Sequence, residues 1–158
     1  MIFLRRSMVV SISFEIESFS PNEKIVCLEA SCAGKLYYQG HAKDFSFNCE
    51  VEDGKKYILE VKATNITKEI KKNGEFGFKI KRFSINGVCL EWFDYMAKSE
   101  NPGLDNPVWQ DRNADYINMP DGKWTFEFET PLTHYFYDLH QKLMSKMLNN
   151  SLSKAKAN

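Results

Sequence analysis

Strict alternation of apolar and polar residues constrains this chain more than any other feature. Val10, Ile12, Phe14 and Ile16 alternate with Ser11, Ser13, Glu15 and Glu17. A strand places the first set on one face and the second on the other, whereas a helix would scatter both around its circumference. The same period returns in residues 44–52 (DFSFNCEVE), where Phe45, Phe47, Cys49 and Val51 share a face, and in 56–64, with Tyr57, Leu59, Val61 and Ala63. Residues 24–31 and 35–39 read as two further strands on either side of Ala33-Gly34. Phe76, Phe78 and Ile80 with the run FSINGVCL supply one or two more, and 123–130 (KWTFEFET) closes the set with Trp124, Phe126 and Phe128 on one face. Strands with one apolar face need a second sheet to cover it. The expectation is therefore a mainly β fold, an antiparallel, jelly-roll-like β-sandwich over residues 9–132.

Turn chemistry punctuates the strands. Ser20-Pro21-Asn22 breaks the first, Asp53-Gly54 is a strong hairpin signal, and Asn73-Gly74 and Asn86-Gly87 mark further turns. The lysine run 68–72 (KEIKK) contains Glu69 and reads as a solvated loop or hairpin tip. The character changes at Glu91: residues 91–122 are irregular and rich in Pro, Asn, Asp and aromatics. A loop of that length inside a compact domain is more often functional or interfacial than not. Pro131 ends strand pairing, Thr133 is a candidate N-cap, and Phe136, Leu139, Leu143 and Met147 form a stripe at helical spacing. These predict one C-terminal helix over 133–149, packed on the sandwich or a partner chain, and a flexible polar tail over 150–158.

Composition excludes some partners. Lys plus Arg number 21 and Asp plus Glu also 21, so the chain lacks the basic footprint of nucleic-acid binding. The cysteines at 27, 32, 49 and 89 read as free thiols of a reducing compartment, because a chain of 158 residues builds a core without disulfide staples. Arg5 and Arg6 interrupt the first apolar stretch, leaving no secretory h-region, and no apolar run is long enough to span a membrane. Met8 is an alternative start, and the sequons at Asn65 and Asn149 are expected to be unused.

The chemistry-bearing motifs fail one by one. No nucleophile elbow, zinc-protease, P-loop or kinase element is present, and Cys49, the partner His41 would need, shares its face with Phe45 and Val51. An enzyme is not expected. Cys27 and Cys32 lack zinc-site spacing and face opposite ways. The stretch 111–122 starts like a calcium loop but has Tyr116 and Gly122 at its sixth and twelfth positions, where an EF-hand needs Gly and Glu. A looser calcium site from Asp105, Asp111 and Asp115 stays open; no metal site or other cofactor is assigned. The sharper signal is the set of large aromatics in the long loop: Trp92, Phe93, Tyr95, Trp109 and Tyr116. Such rings anchor protein interfaces or stack on sugars, or else pin the loop to the sandwich.

Residues 78–92 (FKIKRFSINGVCLEW), the Pro- and aromatic-containing loop after them, and 119–139 (MPDGKWTFEFETPLTHYFYDL) make up a recognisable layout. Across residues 76–132 it resembles a group of small tailed-phage proteins of uncertain role, whose sandwich is similar to the calcium-dependent xylan-binding modules. Asp121-Gly122-Lys123-Trp124-Thr125 and Phe128 to Pro131 fill the second half of that pattern, with Asp121 where the group usually has Asn. The resemblance implies a virion structural or accessory protein, found in the virion or the host cytoplasm, that associates with itself or with other virion proteins. The alternative it implies is a carbohydrate-binding module using the loop aromatics on a glycan, with or without calcium.

Overall fold

The structure is a computed structural model that describes residues 7–71, 74–89, 97–102 and 116–156. Its first strand, β1 (Ser7–Phe19), buries Val10, Ile12, Phe14 and Ile16 and leaves Ser11, Glu15 and Glu17 exposed, as the alternation requires. The strands that follow are β2 (Cys27–Cys32), β3 (Lys35–His41), β4 (Phe45–Glu52), β5 (Lys56–Ala63), β6 (Gly77–Ile85), β7 (Val88–Cys89), β8 (Lys98–Glu100), β9 (Tyr116–Ile117) and β10 (Lys123–Glu129). A short α1 (Lys68–Lys71) joins β5 to β6, and a long α2 (Leu132–Lys156) follows β10.

The strands form two antiparallel five-stranded sheets, one ordered β4-β1-β6-β7 with β9 on β6, the other β3-β2-β5-β10-β8. The β-sandwich with one C-terminal helix is thus the fold. Successive strands lie in different sheets at β1–β2, β3–β4, β4–β5, β5–β6, β7–β8, β8–β9 and β9–β10. Between the sheets lies an aromatic core. Phe14 stacks on Phe45 and Phe83, with ring centroids 4.9 and 5.1 Å apart, and meets the edge of Trp124 at 5.5 Å. Trp124, Phe126 and Phe128 are all within 1 % of complete burial, so β10 contributes one whole layer of the core.

Two turns join neighbouring antiparallel strands as hairpins. Ala33 and Gly34 (φ 53° and 79°) join β2 to β3, and Asn86 and Gly87 (φ 50° and 76°) join β6 to β7. Consecutive positive φ values are those of a type I′ turn, whose twist suits paired strands. Asn86 is also tied to β1: its N–H donates to the Ser11 carbonyl (2.7 Å), and its Oδ1 accepts from the Ser11 N–H (2.8 Å).

Asp53-Gly54 corrects the hairpin expectation. β4 and β5 lie in different sheets, so the turn is an arch across the sandwich. Gly54 adopts a positive φ of 77°, which turn glycines take in hairpins and arches alike and which does not tell one from the other. Residues 68–71 are a helical turn rather than a loop or hairpin tip: the Thr67 hydroxyl accepts from the Ile70 N–H (3.2 Å), an N-cap the lysine run obscures. The segment 91–122 is not irregular throughout, since it contains β8 and β9, two strands too short to show a period.

The C-terminal helix is longer than the expected 133–149. It begins at Leu132, one residue before the proposed Thr133 N-cap, with the Pro131 carbonyl accepting from the Tyr135 N–H (3.2 Å). At its other end residues 150–156, expected as a flexible tail, are helical. They contain no Gly or Pro to stop the helix. Among the described residues no helix is long and apolar enough to cross a membrane.

Candidate functional site

Of the five loop aromatics proposed to bind, Trp92, Phe93, Tyr95 and Trp109 lie outside the described residues, as do Asp105, Asp111 and Asp115 of the calcium possibility. Tyr116 is described, and its partners are internal. Its ring stacks on Phe19 with centroids 4.8 Å apart and planes 7° from parallel, and its hydroxyl donates to Glu75 Oε2 (3.2 Å). Burial, then the charge of Glu75, pushes the Tyr116 phenol well above its ordinary range. One face of the ring is occupied by Phe19, so Tyr116 pins the returning end of the long segment to the sandwich.

The base of that segment is fastened at several further points. Asn101, 4 % exposed, donates through Nδ2 to the Tyr116 carbonyl (2.9 Å) and accepts at Oδ1 from the Asn118 N–H (3.0 Å). One side chain thereby joins the stretch after β8 to the stretch around β9. Gly77 lies so close beneath β9 that a Cβ there would overlap the Ile117 carbonyl oxygen. At Gly122 a Cβ would meet Ile117 Cγ2 at 2.7 Å and the Met119 carbonyl at 2.9 Å. Both glycines are there for close approach, and together with Asn101 they hold the two ends of the long segment on the sheets.

The helix presents the other candidate surface. Its first turns are anchored: Leu132 and Leu139 are buried, and Tyr135, Phe136 and Leu143 are half-buried. β8 covers β10 only from Lys123 to Thr125. Beyond that, the Glu127 carbonyl accepts a hydrogen bond from the Tyr135 hydroxyl (2.9 Å), so α2 takes over an edge that would otherwise be open to another strand. Burial, then the charges of Glu127 and Glu129, pushes the Tyr135 phenol up to about 12.

From Met144 to Ser153 every residue is exposed, including Met144 (53 %), Met147 (48 %), Leu148 (62 %) and Leu152 (52 %). At ~100° per residue, Tyr137, Met144, Leu148 and Leu152 centre roughly 160° around the axis from Leu132, Leu139 and Leu143. A second apolar stripe therefore faces away from the sandwich. The sequence stripe Phe136, Leu139, Leu143 and Met147 found the packed face, but Met147 is not covered. The outer stripe was readable at the same i, i+4 spacing in Met144, Leu148 and Leu152.

Ser18, Ser20, Glu23, Lys24, His41 and Lys43 line part of an open cleft of about 410 Å³ at the end of β1. No group of three or more metal-ligating side chains occurs among the described residues. Cys49 is a core residue, 1 % exposed, while His41 is exposed on the edge strand β3. Cys27 is half-buried on the outer face of β2 and Cys32 is buried on its inner face, which keeps the two from a common metal. Comparisons with family models, with curated proteins and with solved structures give no match to this chain.

Proposed function

We propose that this protein is a non-catalytic binding and assembly domain, in which the sandwich is a rigid scaffold and the outer stripe of α2 is the contact surface. The observation that carries this reading is the position of Tyr137, Met144, Leu148 and Leu152. They lie on the face opposite the one that packs, so no bending of the helix onto its own sheet buries them. Apolar area that the fold itself cannot cover marks a place for another surface. From Leu139 to Lys156 the sequence holds four lysines and no acid, so the rest of this neutral chain carries a surplus of four acids. The helix end thus suits an acidic surface, and the rest of a second copy of this chain, outside its own helix end, offers one.

The resemblance of residues 76–132 to small tailed-phage proteins supplies the setting, a virion structural or accessory component. The test is twofold. Purified protein should show a molar mass that rises with concentration and falls with added salt, and the protein should co-purify with particles from infected cells. A monomer at every concentration that is also missing from particles would end this reading.

A further inference from the structure

Cys32 closes β2 in one sheet, where it pairs with Leu59 of β5 and Lys35 of β3. Cys49 lies in β4 of the other sheet, opposite Val10. No strand pairing joins β2 to β4; the two meet only across the core. There the sulfur atoms come within 3.9 Å, with Cys32 2 % and Cys49 1 % exposed and both thiols free. The other two cysteines stand apart from this pair, Cys27 on the outer face of β2 and Cys89 exposed at the end of β7.

We propose that Cys32 and Cys49 are a latent inter-sheet disulfide, closed by a peroxide-class oxidant. A disulfide has its sulfurs about 2.05 Å apart, so thiol rotation and a small approach of the sheets have to close a gap of roughly 2 Å. The bond would staple β4, an edge strand held by β1 alone, to the opposite sheet. Its loop is closed by residues 17 apart in sequence.

The chemistry balances as two thiols plus one hydrogen peroxide giving one disulfide plus two waters. The Cys49 sulfur, losing its proton, attacks one peroxide oxygen. The O–O bond breaks, leaving a sulfenic acid on Cys49 and a hydroxide that leaves as water. Cys32 then gives up its proton and attacks the Cys49 sulfur; the S–S bond forms, the S–O bond breaks, and the second hydroxide leaves as water. The two electrons come from the sulfur pair and reduce the peroxide. The two sulfurs are in contact, so the same disulfide results whichever of them meets the peroxide first. Both groups being buried, reaction waits on local opening of the β4 edge, so it is slow and suits a small oxidant.

The test uses the full chain carrying C27S and C89S, which removes the two thiols outside the pair and changes no buried side chain. Hydrogen peroxide in modest excess should abolish both remaining free thiols and give a monomer two hydrogens lighter, with the peptides of Cys32 and Cys49 linked in the digest. The thermal midpoint should rise by roughly 6–12 °C, as expected for a cross-link of this loop length in a domain of this size, and fall back on adding dithiothreitol. Thiols that survive native oxidation and cross-link only in urea would overturn the proposal. So would a product dominated by sulfinic acid or intermolecular dimers, or an internal disulfide that lowers the midpoint. The result is independent of what α2 binds.

Discussion

The two halves of α2 obey the same local rules and have different fates. Residues 132–143 place Leu132 and Leu139 in the core and the Tyr135 hydroxyl on the Glu127 carbonyl. Residues 144–153 are exposed on all sides. A helical segment of ten residues is marginal by itself in water, so the outer half depends on the packed half as its nucleus. The contrast separates two meanings of an apolar stripe. The inner one stabilises the fold; the outer one is left uncovered by it, and on the proposed function it meets another molecule.

Substitution breaks this comparison most sharply at the inner stripe. Leu139→Ala should cost about 2–4 kcal/mol, a drop of several degrees in the thermal midpoint, with much of the helical signal of the outer half lost as well. A smaller loss, about 1–3 kcal/mol, is expected for Thr130→Val, read by chemical denaturation. The Thr130 hydroxyl donates to the Glu52 carbonyl (2.5 Å) and accepts from the Lys55 N–H (3.2 Å), which fixes the β4–β5 arch beneath the start of the helix.

Tyr135→Phe should cost about 0.5–1.5 kcal/mol and change the alkaline limb of the stability profile. With its folded value raised to about 12, Tyr135 contributes stability that is complete below the ordinary phenol value of 10 and is lost as pH rises from 10 through 12. Denaturation midpoints across that window should fall less steeply in the variant than in the wild type. The smallest effect belongs to the outer stripe. Leu148→Ala should leave stability within about 0.5 kcal/mol of wild type, and a larger loss would mean that Leu148 packs within its own chain.

Much of the scaffold was legible because strand burial is periodic. The inward residues of β1, β4, β5 and β10 can be read off the alternation, and the positions of the turns off Ala33-Gly34 and Asn86-Gly87. The route between sheets was not legible. Asp53-Gly54 needs the same positive φ whether the chain returns beside β4 or crosses to β5, and only the partners taken by β1, β2 and β10 decide it. The short strands β8 and β9 escaped because two or three residues carry no period. Asn101 and Gly77 escaped because their importance lies in what folds against them, a carbonyl of β9 in each case. At the helix, Leu139 and Leu143 were found on the stripe. Met144, Leu148 and Leu152 stand at the same spacing, but the sequence alone does not tell a second, outward stripe from the packed one.

If the outer stripe of α2 is a contact surface and not part of the fold, removing its apolar side chains should abolish association and leave stability unchanged. Light scattering on size-exclusion fractions compares the wild type with M144Q/L148Q/L152Q, three exposed positions changed without altering charge, over a range of concentrations at low salt. The expected outcome is a mass that climbs with concentration in the wild type, a variant that stays monomeric, and the same thermal midpoint for both. A wild type that stays monomeric throughout, or a variant that associates just as strongly, would contradict it.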